Sequence, residues 1–192
     1  MSSGYPTFHD VKHYLGIENS EQDALIVATL KRAIATFENM CGRKFVPKEE
    51  IKKFDSNGDE VVNSRRLFIR DGDLLSISSL KIDGVVVPPT DYYVDGASPH
   101  FVVRIKSGSN YTFDEFSTAP EQTIEIAGAW GYDVDVPDDV FGAIVRLAAW
   151  LYQQKDNAME LDRPVAISNA MVLPASLPSD VEAIARFYKR IA

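Results

Sequence analysis

The sequence has little cysteine and no long hydrophobic run. Cys41 is its single cysteine, which excludes an internal disulfide, argues against a cysteine-based zinc site and fits a reducing compartment. The most apolar stretch, from Ala143 to Tyr152, is interrupted by Arg146 and is shorter than the roughly 20 residues that span a bilayer. Residues 1–6 lack the basic start and apolar core of a signal peptide. These absences predict a soluble, cytosolic protein.

Basic residues are also in deficit, and the deficit is confined to one stretch. The 192 residues contain 20 Lys and Arg against 28 Asp and Glu, which gives a net charge of −8. Residues 91–139 carry ten acidic side chains and only Arg104 and Lys106 as cations, so the whole imbalance lies there. A general nucleic-acid binder needs a basic surface to displace counterions from phosphates. The composition therefore argues against tight DNA binding.

Apolar residues are present in the ordinary proportion of globular proteins, at 45% of the chain. Helical patterns occupy both ends of the sequence, residues 1–44 and 137–192, and a β-rich stretch, residues 45–132, separates them. The expected fold class is α+β, with a helical bundle formed by the N- and C-terminal helices and a β-rich insertion in the middle. Residues 1–192 are expected to form a single domain.

Four helices are predicted from apolar residues at helical spacing, each with a capping residue or a proline at its start. The starts are Thr7, an apparent capping box at Ser20–Asp23, Pro137 and Pro178. Gly16 and Gly42 supply left-handed positions that end the first two helices. The second helix is expected over residues 20–41, and the third is expected to run to about Asp156.

Short runs of β-branched and aromatic residues predict the strands of the insertion. They cover residues 51–54, 61–69, 78–82, 85–87, 92–94, 101–105 and 123–127. Asn57-Gly58 and Asp83-Gly84 are dipeptides that favour the tight turns of β-hairpins. We therefore expect a hairpin at each of them.

Residues 160–177 show no clear periodicity and yet are rich in apolar side chains. Long structureless loops are uncommon in compact domains, and a segment this apolar does not stay solvated. We expect it to pack either against its own domain or against a neighbouring subunit.

No motif in the sequence predicts catalysis. His9-Asp10-Val11-Lys12-His13 has the histidine spacing of zinc proteases, but it has Asp in place of the catalytic Glu and no evident third ligand. Asp55–Asp59 resembles the start of a calcium loop, but its glycine is in the wrong position. A magnesium cluster could be proposed for four nearby aspartates, Asp133, Asp135, Asp138 and Asp139. The sequence predicts no catalytic residue, no cofactor and no metal site.

An ordered set of motifs nevertheless resembles a known family. The C-terminal half contains Gly128-Ala129-Trp130-Gly131-Tyr132, Val136-Pro137-Asp138-Asp139-Val140, a helix with Leu147–Tyr152, and Leu177-Pro178 before a helix ending in Tyr188-Lys189-Arg190. The N-terminal half contains Val11-Lys12-x-x-Leu15, Asp23-Ala24-Leu25-Ile26 and Phe37-Glu38 through Cys41-Gly42-Arg43. Together they resemble the head–tail connector (adaptor) family of tailed bacteriophages and prophages. The β-rich middle is loosely similar to the larger insert of the longer family members.

The resemblance implies a structural role without catalysis. Family members form a homo-oligomeric ring, commonly of about twelve copies, beneath the portal protein. The ring joins the portal to a downstream head-completion or tail protein, and DNA passes through it without being tightly bound. The implied location is the virion, after assembly in the host cytoplasm and without a membrane. Alternatives are another phage assembly factor (a tail-completion or head-decoration protein) or, less favoured, a small metal-dependent hydrolase using the aspartates near 133–139.

Three groups of residues receive roles from this resemblance. Subunit contacts are expected from Val165, Ile167, Met171, Val172 and Leu173. Docking on the portal is expected from Leu177, Val181, Ile184, Tyr188, Lys189 and Arg190. Asp133 and Asp135 are expected either to line the channel, where they would repel the DNA backbone, or to meet a basic face of a partner.

Overall fold

A computed structural model describes residues 4–96, 98–154, 165–167, 170–172 and 177–190. Within these residues the chain forms four helices and ten strands, so the fold class is α+β, as predicted. The chain divides into two compact units, one of residues 1–42 and 136–191 and the other of residues 43–135. We call them the helical unit and the β unit. The expectation of a single domain stays a prediction.

The helical unit contains α1 (Phe8–Leu15), α2 (Asp23–Cys41), α3 (Asp138–Gln153) and α4 (Ser179–Phe187). Helix α3 packs against the other three helices, and α2 also contacts α1 and α4. Each helix buries one apolar side in a shared core, as its sequence period requires. The fully buried side chains of this core include Val11, Ile26, Phe37, Val140, Ile144, Leu147 and Val181.

Local signals determine where α1 and α2 begin and end. The Asp10 carboxylate accepts hydrogen bonds from the Thr7 hydroxyl (2.6 Å) and the Thr7 backbone N–H (2.7 Å), which caps α1. Gly16 ends α1 at φ +67°, in the left-handed region that glycine adopts without strain. The capping box expected at Ser20–Asp23 is wrong, because α2 begins at Asp23 and its carboxylate accepts a hydrogen bond from Lys12 Nζ at 2.6 Å.

Prolines precede the other two helices. Pro137 stands directly before α3 and Pro178 directly before α4. The predicted end of α3, near Asp156, lies outside the described residues. Part of the aperiodic segment forms two short strands, β9 (Val165–Ile167) and β10 (Ala170–Val172), which pair antiparallel.

The β unit contains two four-stranded antiparallel sheets. Their strands are β1 (Lys48–Phe54), β2 (Val61–Val62), β3 (Arg66–Phe68), β4 (Leu74–Ile82), β5 (Val85–Val87), β6 (Tyr92–Asp95), β7 (Val102–Ile105) and β8 (Ile124–Trp130). The strand orders are β1-β8-β4-β5 and β2-β3-β7-β6. One apolar core joins both sheets and includes Leu67, Leu74, Leu80, Val103, Phe113, Ile124 and Ile126.

Turn chemistry explains where the strand predictions succeed and fail. Asp83 and Gly84 both have positive φ (48° and 78°), and they join β4 to β5 in the predicted hairpin. The single strand expected over residues 61–69 is instead two, because Asn63 and Ser64 also adopt positive φ (52° and 58°) and reverse the chain. The hairpin expected at Asn57-Gly58 is wrong, since the strands on either side, β1 and β2, belong to different sheets.

Candidate assembly surfaces

The strand register of the second sheet brings two arginines and a tyrosine into one row. Arg66 of β3 pairs with Arg104 of β7, and Arg104 pairs with Tyr93 of β6. Residues directly opposite each other on antiparallel strands point to the same face. Arg65 and Lys106 line the shallow depression beside this row. We call these five residues the basic face.

Hydrogen bonds hold most of the basic face in place. Arg65 Nη1 donates to the Lys106 carbonyl at 2.6 Å, and Lys106 Nζ donates to the Thr90 carbonyl at 2.6 Å. Arg104 Nη2 lies 2.5 Å from Asp95 Oδ2. Arg66 is exposed and makes no ion pair with any described residue. Of these two adjacent arginines only Arg104 has a carboxylate partner among the described residues, which leaves this surface positive within an acidic chain.

The predicted acidic residues lie just beyond the end of β8. Asp133, Val134 and Asp135 are all exposed, and Val134 is 68% exposed. The Asp133 carboxylate accepts a hydrogen bond from the Val134 backbone N–H at 2.7 Å, and neither aspartate makes an ion pair with a described residue. Gly131 and Tyr132 tie the preceding backbone to the β unit through N–H bonds to other backbone carbonyls, each 2.8 Å long. We call Asp133–Asp135 the acidic segment.

The terminal helix α4 is anchored through part of the predicted docking set. Val181 is fully buried and Tyr188 exposes only 9% of its surface. The Tyr188 hydroxyl donates to the Asp139 carboxylate at 2.9 Å, and the Arg190 N–H donates to the Cys41 carbonyl at 2.8 Å. These contacts attach the end of the chain to α2 and α3.

The rest of the docking set lies nearer the surface. Lys189 is exposed, whereas Leu177, Ile184 and Arg190 are half-buried. The most exposed large apolar side chain here is one the sequence analysis did not select, Phe187, at 79% exposure. An aromatic residue outside the buried stripe of a short amphipathic helix is the signal that could have identified it. The docking role of the set stays a prediction.

The predicted subunit contacts fall on the paired strands β9 and β10. Val165 and Ile167 belong to β9, and Met171 and Val172 belong to β10. Leu173 lies outside the described residues. Their role in subunit contact also stays a prediction.

Metal and membrane sites receive no support from the described part of the chain. There, no group of three or more His, Cys, Asp or Glu side chains lies close enough together to hold a metal ion. Among the same residues, no helix is both long and apolar enough to cross a membrane.

A family model of head completion proteins matches residues 6–191. The chain belongs to this family. The resemblance to head–tail connector proteins that the ordered motifs predicted is thereby confirmed, and so is a structural role as a connector subunit. No curated protein is similar enough to this chain to be matched.

Solved structures from gene transfer agent (GTA) particles have the same fold as this chain. A chain from the neck of an empty GTA particle, computed with C6 symmetry, has a TM-score of 0.63 at 13% identity over 100% of this chain and 94% of that one. A chain from the neck of a native GTA particle, computed with C12 symmetry, has a TM-score of 0.58 at 13% identity, covering 100% and 97%. A chain from the virion of a native gene transfer agent has a TM-score of 0.61 at 14% identity, covering 96% and 88%.

Proposed function

We propose that this chain is a subunit of an oligomeric ring of about twelve copies that joins the portal to the tail of a phage or phage-like particle. DNA passes through the ring, and the subunit carries out no catalysis. The match to head completion proteins over residues 6–191 carries this proposal. Neck structures with C6 and C12 symmetry and the same fold support the ring and a place in the virion.

The helical unit is proposed to dock on the portal through the exposed side of α4. Phe187 offers a large exposed aromatic side chain that a pocket on the portal can bury, and Lys189, also exposed, follows two residues later. Val181 and Tyr188 act from inside, because they fix α4 on α2 and α3 and so position the exposed side chains. Strands β9 and β10 are proposed to contact the neighbouring subunits.

Point substitutions test docking better than removal of the terminal helix. Deleting residues 177–192 would remove side chains that are buried in the helical unit, so the remainder could unfold. We expect Phe187→Ala to weaken binding to the portal by about tenfold or more, measured by biolayer interferometry on purified proteins. Arg32→Glu, an exposed charge reversal on α2, is the control and should leave the affinity within about twofold.

Native mass spectrometry of the chain with its portal tests the ring itself. A portal-bound species containing about twelve copies supports the proposal. A portal that binds only single copies, or none, contradicts it. A family member that acted as a tail-completion or head-decoration protein would bind tail or capsid proteins instead of the portal.

A further inference from the structure

We infer that, in the assembled ring, the basic face of each copy binds the acidic segment of the next copy. This inference rests on the proposed ring. It identifies the neighbour that Asp133 and Asp135 meet and adds a contact in the β unit to the one proposed for β9 and β10. The interface is head-to-tail, because two different surfaces of the same chain meet. Such interfaces form a ring when the rotation from one copy to the next closes.

The basic face has a cation without a carboxylate partner, and the described part of its own chain provides none. Arg66 and Arg104 are cross-strand neighbours, and like charges placed directly opposite destabilise a sheet. Arg104 is compensated by Asp95 at 2.5 Å, whereas Arg66 meets no carboxylate among the described residues. Tyr93, 44% exposed, ends the row with an aromatic side chain next to Arg104. This surface suits a short anionic segment that also carries an apolar side chain.

The acidic segment has the matching chemistry. Two carboxylates flank one exposed aliphatic side chain, so Asp133 and Asp135 can accept hydrogen bonds from the guanidinium groups while Val134 packs on Tyr93. Both surfaces belong to the β unit, yet no ion pair joins them within the described chain. A second copy of the chain supplies carboxylates to the basic face, or cations to the acidic segment, that the described part of the first copy does not provide.

DNA fits the basic face less well than a protein segment does. Asp91 lines the same depression, and Asp95 lies against Arg104, so a phosphate backbone following this surface would meet fixed negative charge. The acidic loop at Asp114 and Glu115 is also a poorer occupant. Asp114 is already held by the Ser64 hydroxyl at 2.6 Å, next to Arg65 on the basic face of its own copy.

A charge swap between the two surfaces tests the inference. Arg66→Glu and Asp133→Lys are each expected to raise the chain concentration needed for half-maximal ring formation with the portal by about tenfold. The double variant re-forms an opposite pair across every interface and should return to within about threefold of the unsubstituted chain. Arg32→Glu serves again as the matched control, with no effect beyond about twofold.

The outcomes separate this inference from the function on which it rests. Single variants that assemble normally, or a double variant that is no better than the worse single one, overturn the head-to-tail contact alone. If Arg66→Glu leaves assembly unchanged but reduces retention of duplex DNA by the rings, the basic face contacts DNA and the inference is wrong. If the unsubstituted chain forms no ring with its portal, the proposed function fails and the inference fails with it.

Cross-linking gives a direct readout of the same contact. Because Cys41 is fully buried, a thiol reagent applied to folded chains reacts at introduced cysteines. Chains carrying Arg66→Cys are mixed with chains carrying Val134→Cys, assembled with the portal and treated with a short bismaleimide. We expect dimers that contain one chain of each kind. Rings that yield no such mixed dimer contradict the inference.

Discussion

Replacing Gly128 with alanine should destabilise the β unit, although the change adds only one methyl group. Gly128 lies in β8 opposite Ile77 of β4, where the register between the two strands shifts on both sides. A Cβ at this position would lie 2.0 Å from the Ser76 carbonyl oxygen and 3.2 Å from Ile77 Cα. Both atoms belong to the backbone of a central strand, so neither can rotate away as a side chain could.

The magnitude follows from the displacement that the methyl group requires. Ordinary carbon–oxygen contacts lie near 3.4 Å, so β4 would have to move by about 1 Å or more against a close-packed core. Overpacking that forces side chains and backbone to shift typically costs about 1–3 kcal/mol and occasionally more. We therefore expect Gly128→Ala to lower the free energy of unfolding by about 3 kcal/mol.

The same substitution at Gly142 should have the opposite sign. Gly142 is exposed in the interior of α3, and a Cβ there would meet no atom within 4 Å. Alanine forms helix more readily than glycine by about 1 kcal/mol, partly because it restricts the unfolded chain. Gly142→Ala should thus stabilise the helical unit by about 0.5–1 kcal/mol.

Urea unfolding followed by tryptophan fluorescence measures both effects. Trp130 lies in the β unit and Trp150 in the helical unit, so Trp150→Phe and Trp130→Phe backgrounds report the two units separately. If Gly128→Ala unfolds within about 0.5 kcal/mol of its background protein, β4 and β8 do not approach as described and the reasoning fails. A destabilising Gly142→Ala would show that the outer side of α3 is packed.

Three further predictions concern the helical unit. Thr7→Ala should lower the free energy of unfolding by about 1 kcal/mol at neutral pH. Because the hydrogen bond from the Thr7 hydroxyl lowers the pKa of Asp10, this loss should become smaller as the pH falls below about 4. Urea titrations at pH 7 and pH 3 measure the difference. Tyr188→Phe should cost about 1–2 kcal/mol by the same assay, since it removes the hydroxyl bond to Asp139. Cys41 should react with a maleimide only after unfolding, as followed by intact mass.

Turns and helix ends that depend only on neighbouring residues could be predicted from the sequence. Asp83-Gly84 predicts its hairpin because both positions need positive φ, which glycine adopts freely and aspartate tolerates. Thr7 and Gly16 delimit α1 for equally local reasons. The turn at Asn63 and Ser64 was not predicted, because these residues adopt positive φ without a glycine. The β-branched residues on either side therefore resemble one continuous strand.

Surfaces that depend on contacts between distant parts of the chain could not be predicted from the sequence. The basic face exists because β3 and β7 pair in a register that sets Arg66 beside Arg104, and no local pattern encodes that pairing. Phe187 was not predicted as a docking residue because it lies outside the apolar stripe of α4, which includes Val181, Ala185 and Tyr188. Burial within the chain, which decides which members of the stripe remain available to a partner, depends on tertiary packing.

The acidic surplus of residues 91–139 has a different interpretation once the partners of its carboxylates are known. Several carboxylates of residues 91–139 are occupied within the chain: Asp95 by Arg104, Glu125 by Lys53 and Lys81, and Asp139 by the Tyr188 hydroxyl. Surface ion pairs of this kind contribute little to stability, but they remove those charges from the field that a partner or DNA would meet. Asp133 and Asp135 remain exposed, without an ion pair to a described residue, and flank an exposed valine. Repulsion of DNA would use only the two carboxylates, whereas a protein partner can also bury the valine between them. The exposure of Val134 therefore favours a protein partner for this segment.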